Sequence, residues 1–345
     1  MRPAAALLLA ASSLPFAGAS APVGPPKPPR YLTETGLYMR VVTARDPRIL
    51  AYAPQYPLWS DGSVKNRWVF LPPGTRIDAR DADAWVVPPG TKFWKEFSFG
   101  GRKVETRLIW KTADGRWVFA TYLWNEGQTE AVLAPRDGVP DYVEIAPGKR
   151  HSIPGVEDCR NCHEDERSPL LGFTPLQLST DRDPLAPHAE PLRPGMVTLT
   201  DLVERKLLDP PRREYVTDPP RIPGGNPRTR ALLGYFTTNC GSCHRATGTL
   251  GALELDFNHA PGAADEAAEP GFATTVGRTG KWRLPGDSSG QTERIRPGEP
   301  ARSSALYRMK SRSALSQMPP LGTVLVDEEA VRLLERWIAE DLAPR

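Results

Sequence analysis

The chain has 345 residues, with 44 Lys+Arg against 41 Asp+Glu and a formal charge of +3, so it carries neither a polybasic footprint for nucleic acid nor an acidic tail. At 39% hydrophobic and 25% charged it has apolar material for real cores and is not a disordered chain. Its length suggests more than one unit at roughly 100–200 residues per domain, and its 38 prolines imply many rigid loops and few long helices.

The opening run MRPAAALLLAASSLPFAGASA sets Arg2 before a short apolar stretch from Ala4 to Ala11, with small residues at Ala17, Gly18 and Ala19. That pattern predicts a secretory signal peptide over 1–19, cleaved after Ala19. Pro15 and the small-residue cluster would end a buried helix early. No cysteine stands there to carry a lipid, and no later stretch approaches about eighteen consecutive apolar residues, so a periplasmic or secreted protein with no membrane span is expected. Residues 20–30 are a leader whose PVGPPKPP segment reads as extended chain.

From 31 to 150 the pattern is β. The runs Arg67–Leu71, Lys92–Phe99, Lys103–Lys111 and Arg116–Trp124 are rich in Trp, Phe, Val and Tyr, and Gly/Pro turns separate them. Short strands at this spacing predict an antiparallel sandwich or barrel-like domain. Seven tryptophans (Trp59, Trp68, Trp85, Trp94, Trp110, Trp117 and Trp124) fall here, and core filling explains them better than a ligand platform. Residues 151–226 are broken by proline and hold one helix at Leu199–Leu208, capped by Thr198 or Thr200. Phe173 and Tyr215 are the segment's only aromatics, so it buries too little to stand alone and is expected to dock on the β domain. Residues 227–345 open with the helical run TRALLGYFTTNC and close with DEEAVRLLERWIAEDL, where Asp327 caps and Val331, Leu334 and Ile338 share a face. Between them, residues 257–302 read as a long surface excursion. The fold class expected is multidomain α+β: the β-sandwich or barrel, then two mainly α-helical regions.

The cysteines fall at Cys159, Cys162, Cys240 and Cys243, and each pair is followed at once by a histidine, His163 and His244. Both runs are C-x-x-C-H, the pattern of covalent c-type haem attachment. One helical turn sets two thiols near two porphyrin vinyls, and the next residue offers its imidazole to the iron. A four-cysteine zinc site would leave both histidines unexplained. Thioredoxin-like motifs would need a βαβ setting that neither run has, and disulfides so local would staple nothing. Two covalently bound haem c groups are therefore expected, with Cys159, Cys162, Cys240 and Cys243 as attachment points and His163 and His244 on the metals. Met318, in the proline-flanked loop QMPPLGT, is the expected second ligand of the His244 iron. For the His163 iron the candidates are His188, bracketed by Pro187 and Pro191, then His151, Met196, His259 or an open position. An open iron would turn a carrier into an enzyme.

The runs YPLWSDG, GTKFWKEFSF, KVETRLIW, RHSIPGVEDCRNCH, SPLLGFTPLQLS, GYFTTNCGSCH and QMPPLGT resemble a family of bacterial exported dihaem c-type cytochromes with a β-rich N-terminal part. The resemblance covers most of the chain after the signal peptide and implies dihaem electron transfer between periplasmic redox proteins, without naming a reaction. From GYFTTNCGSCH to the end the chain is also similar to class I cytochromes c, whose haem lies between terminal helices and whose axial Met comes from the loop between them. The 257–302 stretch is longer than that small fold carries. Two alternatives are a dihaem peroxidase with an open iron at His163 and the electron-transfer subunit of a periplasmic dehydrogenase.

Overall fold

The computed structural model describes residues 26–82, 84–164, 168–288 and 290–343. The expected signal peptide, 1–19, lies outside the described residues. Among those described, no helix is long and apolar enough to cross a membrane.

The strands are β1 (Leu50–Ala51), β2 (Val64–Phe70), β3 (Ile77–Asp78), β4 (Lys92–Phe99), β5 (Arg102–Lys111), β6 (Trp117–Trp124), β7 (Ala131–Leu133), β8 (Val139–Ala146), β9 (Lys149–Ile153) and β10 (Leu208–Asp209). Six of them form one antiparallel sheet in the order β1-β2-β4-β5-β6-β7. Its register puts Trp68, Trp94, Leu108 and Ala120 in one cross-strand row and Val69, Phe93, Ile109 and Phe119 in the next. Because successive side chains point to opposite faces, those rows feed different cores. The tryptophan row packs with Leu32, Leu37 and Tyr122. The Val69–Phe93 row packs with Leu170, Phe173, Leu178, Val197, Leu199, Leu202 and Tyr215, all from beyond the sheet.

This arrangement corrects the expected fold class. The sheet is single and open, with β1 and β7 at its ends, rather than a sandwich or barrel. Its second face is covered by proline-rich loops, short helices and the two-stranded β3–β10 sheet, whose Ile77 and Leu208 join that core; β8 and β9 form a separate hairpin. Nor are there two mainly α-helical haem regions. The described helices are α1 (Val156–His163), α2 (Pro175–Leu178), α3 (Leu199–Glu204), α4 (Glu214–Thr217), α5 (Pro227–Asn239), α6 (Pro270–Ala273), α7 (Ser304–Lys310) and α8 (Glu328–Arg336), and three of them are single turns of 4 residues. Proline fixes φ and removes a donor, so the packing passes to the loops between short turns.

The second core gathers Leu232, Leu233 and Phe236 of α5, Leu306 of α7, and Val331, Leu334 and Trp337 from α8 and the π-turn that follows it. Phe257 and Ile295 belong to this core too, with Phe272 and Val276 packed against it. The 257–302 stretch is therefore not a surface excursion, since it supplies one wall. Tyr56, from the connection between β1 and β2, also enters this core, where it meets α5 at Gly234. A Cβ at Gly234 would lie 2.2 Å from the Tyr56 ring, so glycine permits the close approach.

Candidate functional site

Cys159, Cys162 and His163 lie on α1. The helix starts where Gly155 abuts the backbone of Asp137, with the Val156 amide donating to the Arg136 carbonyl at 2.8 Å. A Cβ on Gly155 would meet that backbone at 2.8 Å, and Gly138, at φ +78°, would collide with the Ile153 carbonyl at 2.3 Å. The two glycines thus pin α1 to the β8–β9 hairpin. His163 Nδ1 lies 2.6 Å from the Pro169 carbonyl oxygen. A carbonyl can only accept, so Nδ1 carries the proton and the Nε2 lone pair is left for a metal. Burial lowers the imidazole to about 4, against the Pro169 bond, which opposes the shift. The ring stands 5.8 Å from that of Phe119 on β6.

Under α1 the sheet face is charged. Glu105 is fully buried, with Arg107 donating to both its oxygens at 2.6 and 3.0 Å and His151 Nε2 at 3.0 Å. Burial would raise this carboxyl, but Arg107 and the His151 bond outweigh it and hold it to about 2. Burial also pulls the Lys65 amine down to about 7, with Arg67 adding to the effect. Burial raises the Cys159 thiol, and the neighbouring Arg107 opposes it.

The second motif begins where α5 ends. The Cys240 amide donates to the Phe236 carbonyl at 2.8 Å, and one further turn closes with the His244 amide on the Cys240 carbonyl at 2.8 Å. Cys240 packs against the apolar core, and burial pushes its thiol up to about 12. His244 is buried, its ring 5.9 Å from Phe257 and nearly perpendicular to it. Its Nδ1 is buried without a hydrogen-bond partner. Such an orphan costs on the order of 1–3 kcal/mol and points to a group that the histidine is built to meet. Met318 is half-buried in the loop between α7 and α8, its amide donating to the Arg308 carbonyl at 3.0 Å. The Arg308 charge in turn helps to hold His244 below its usual value, second to burial. Met318 is thus tied by its backbone to the α7 residue whose charge is felt at His244.

The motifs also meet each other. Cys162 and Cys243, from different CxxCH runs, lie near enough to act on each other: the neighbouring thiol raises Cys162 and lowers Cys243. All four thiols are free. Beside this contact a cavity of about 1100 Å³ runs between the two halves, lined by Ser168, Leu170, Leu176, Thr238, Ser242 and His259 among others. Free thiols, a histidine tautomer suited to ligation and an orphaned imidazole nitrogen fit covalent haem c at both motifs; the cavity is bordered by Ser242 of the second motif but by none of the cysteines or histidines of either motif. Among the described residues no three of His, Cys, Asp and Glu converge to hold a bare ion, so the zinc alternative has no donor set there.

The remaining candidates for the His163 iron are held elsewhere. His188, at φ +59°, sits at the start of α8, with Nε2 2.8 Å from Asp327 and Nδ1 3.3 Å from Glu329. His151 is on Glu105. Met196 Sδ accepts from the Arg193 amide at 3.4 Å, and His259 Nδ1 lies 2.9 Å from Glu269. None of these contacts reaches His163. The Pro169 carbonyl and the buried Glu105–Arg107–His151 triad were missed in the sequence, although Glu105 and Arg107 alternate on β5 in a way that signals one shared face.

No protein-family model, no curated protein and no solved structure matches the chain.

Proposed function

We propose that the chain is an exported dihaem c-type cytochrome that passes single electrons between periplasmic redox proteins. One observation carries the reading: the chain holds two C-x-x-C-H runs, at 159–163 and 240–244, and Cys162 of one lies near enough to Cys243 of the other for the thiols to act on each other. Groups attached there would stand close enough to exchange electrons within the chain. Cys159 and Cys162 would hold one haem with His163 as ligand, and Cys240 and Cys243 the other, with His244 and Met318. When bound, each supplies a one-electron couple, raised in potential where a thioether completes the iron. The protein's share is to fix the imidazoles: His163 by the proton it gives to Pro169, and His244 by the packing of Phe257. Redox titration of the holoprotein tests this. Two one-electron waves are expected, and a single wave would overturn the reading.

A second reading, a dihaem peroxidase, is favoured by the engagement of His188, His151, Met196 and His259 away from His163. Hydrogen peroxide would take two electrons and two protons there to give two waters. Electron paramagnetic resonance separates the two readings. A high-spin ferric signal abolished by cyanide, together with peroxide turnover by the reduced protein, selects the enzyme; two low-spin signals select the carrier.

A further inference from the structure

The sheet face under α1 carries a charge arrangement that the dihaem reading does not use. Arg67 of β2, Lys95 of β4 and Arg107 of β5 are direct cross-strand partners. Like charges opposite one another destabilise a sheet. Arg67 is 4% exposed and Lys65, two residues earlier on the same face, 5%, while Lys95 and Arg107 are half-buried. The amines of Lys65 and Lys95 and the Arg107 guanidinium converge on the buried Phe97 ring, at 5.8, 4.9 and 4.2 Å from its centre.

The carboxylates facing this group do not balance it. Glu105 takes Arg107 and His151. Glu190 takes Arg67 through Nη1 alone, at 2.8 and 2.9 Å. Asp61 accepts from the Val324 and Leu325 amides, both at 2.9 Å. Lys65 reaches only the Ser63 carbonyl, at 3.2 Å. Arg67 Nη2 is buried with no partner at all. Four cations against the two carboxylates that pair with them leave the face in need of further anions, because an uncompensated buried charge is strongly destabilising.

We propose that this cationic row is a carboxylate-binding site whose occupants are the propionates of the haem carried by Cys159, Cys162 and His163. The inference rests on the dihaem reading above. Arg107 stands under α1, since the His163 ring lies 5.8 Å from Phe119 of β6 and Arg107 of β5 pairs with Thr121 two residues further along that strand. From there the row crosses two strand spacings to Arg67, about 10 Å. In haem c the thioether bonds and the propionates occupy opposite edges of the macrocycle, so an edge held at α1 directs its carboxylates toward the Lys95 and Arg67 end.

The test uses holoprotein of the wild type, Lys95→Gln, Lys95→Arg and Arg67→Gln, with covalent haem counted first in each. Resonance Raman spectra and redox titrations are then compared. The propionate-bending band of one haem should shift in Lys95→Gln and Arg67→Gln, and that haem's potential should fall while the other's stays. Lys95→Arg should restore both signals. Unchanged bands in Lys95→Gln overturn the proposal, and that variant keeps the test decisive where Arg67→Gln fails to fold. Acetate and inorganic phosphate titrated into the wild type supply the other arm. Saturable binding that Lys95→Gln loses would mean the row holds a free anion, which also overturns the proposal. A wild-type chain with no covalent haem fails the dihaem reading itself, and that is seen before any variant is compared.

Discussion

His163 and His244 follow the same spacing of cysteines, yet their surroundings share little. His163 gives its Nδ1 proton to Pro169 and lies over a sheet face of arginine, lysine and a fully buried glutamate. His244 lies against Phe257, with its Nδ1 unpartnered, beside a core of Leu, Phe and Trp. The turn that carries the motif is thus independent of what it is packed into. The turn sets where thiols and imidazole stand, while the neighbouring chain sets the charge and polarity around them. The first region should therefore respond to acid and to charge removal, and the second to changes of volume.

The sharpest way to break that contrast is Trp337→Ala. Trp337 is fully buried and its Nε1 donates to Thr229 Oγ1 at 2.9 Å, so truncation should cost about 3–5 kcal/mol, read as a fall in Tm with little dependence on pH. Glu105→Gln is its counterpart in the first region and should cost about 3 kcal/mol by removing a fully buried carboxylate from the half-buried Arg107. The acid limb gives the same contrast in another form. The folded Glu105 carboxyl is held to about 2 from an ordinary 4.5, so its contribution is complete above pH 4.5 and is lost as pH falls toward 2. That amounts to on the order of 3 kcal/mol. Acid denaturation of Glu105→Gln should lack this component, and an unchanged acid limb would contradict it. Gly234→Ala should cost about 1–3 kcal/mol by driving a methyl into the Tyr56 ring, although alanine favours a helix. Smallest is Asp327→Ala, about 1–2 kcal/mol in a denaturant titration. It removes the cap on the Ala330 amide at 3.1 Å and the partner of Tyr235 and His188.

The strands were legible because β4, β5 and β6 are short runs rich in Trp, Phe, Val and Tyr set off by Gly/Pro turns, and the helix at 328–336 because its cap, Asp327, precedes apolar residues on one face. The sandwich was a misreading with a physical cause. Alternation reveals two faces but not what covers them, and here the cover is loop: Leu170, Phe173 and Leu178 lie in proline-rich chain without periodicity. Phe257 and Ile295 were hidden in the same way, as isolated apolar residues among glycines and prolines. Of the site, both CxxCH turns could be read directly, since five consecutive residues carry the chemistry. The Pro169 carbonyl could not, because every residue but proline offers the same backbone groups and proline differs only by its missing N–H. The cationic row could not either. Arg67, Lys95 and Arg107 lie on three strands, and only the register makes them neighbours.

The most direct measurement is the intact mass of the exported protein made in a host that matures c-type cytochromes, set beside double variants that replace Cys159 and Cys162, or Cys240 and Cys243, with serine. The account predicts two haem additions on the wild-type chain and one on each variant. A chain that emerges with no added mass, or with both additions still present in either variant, would contradict it.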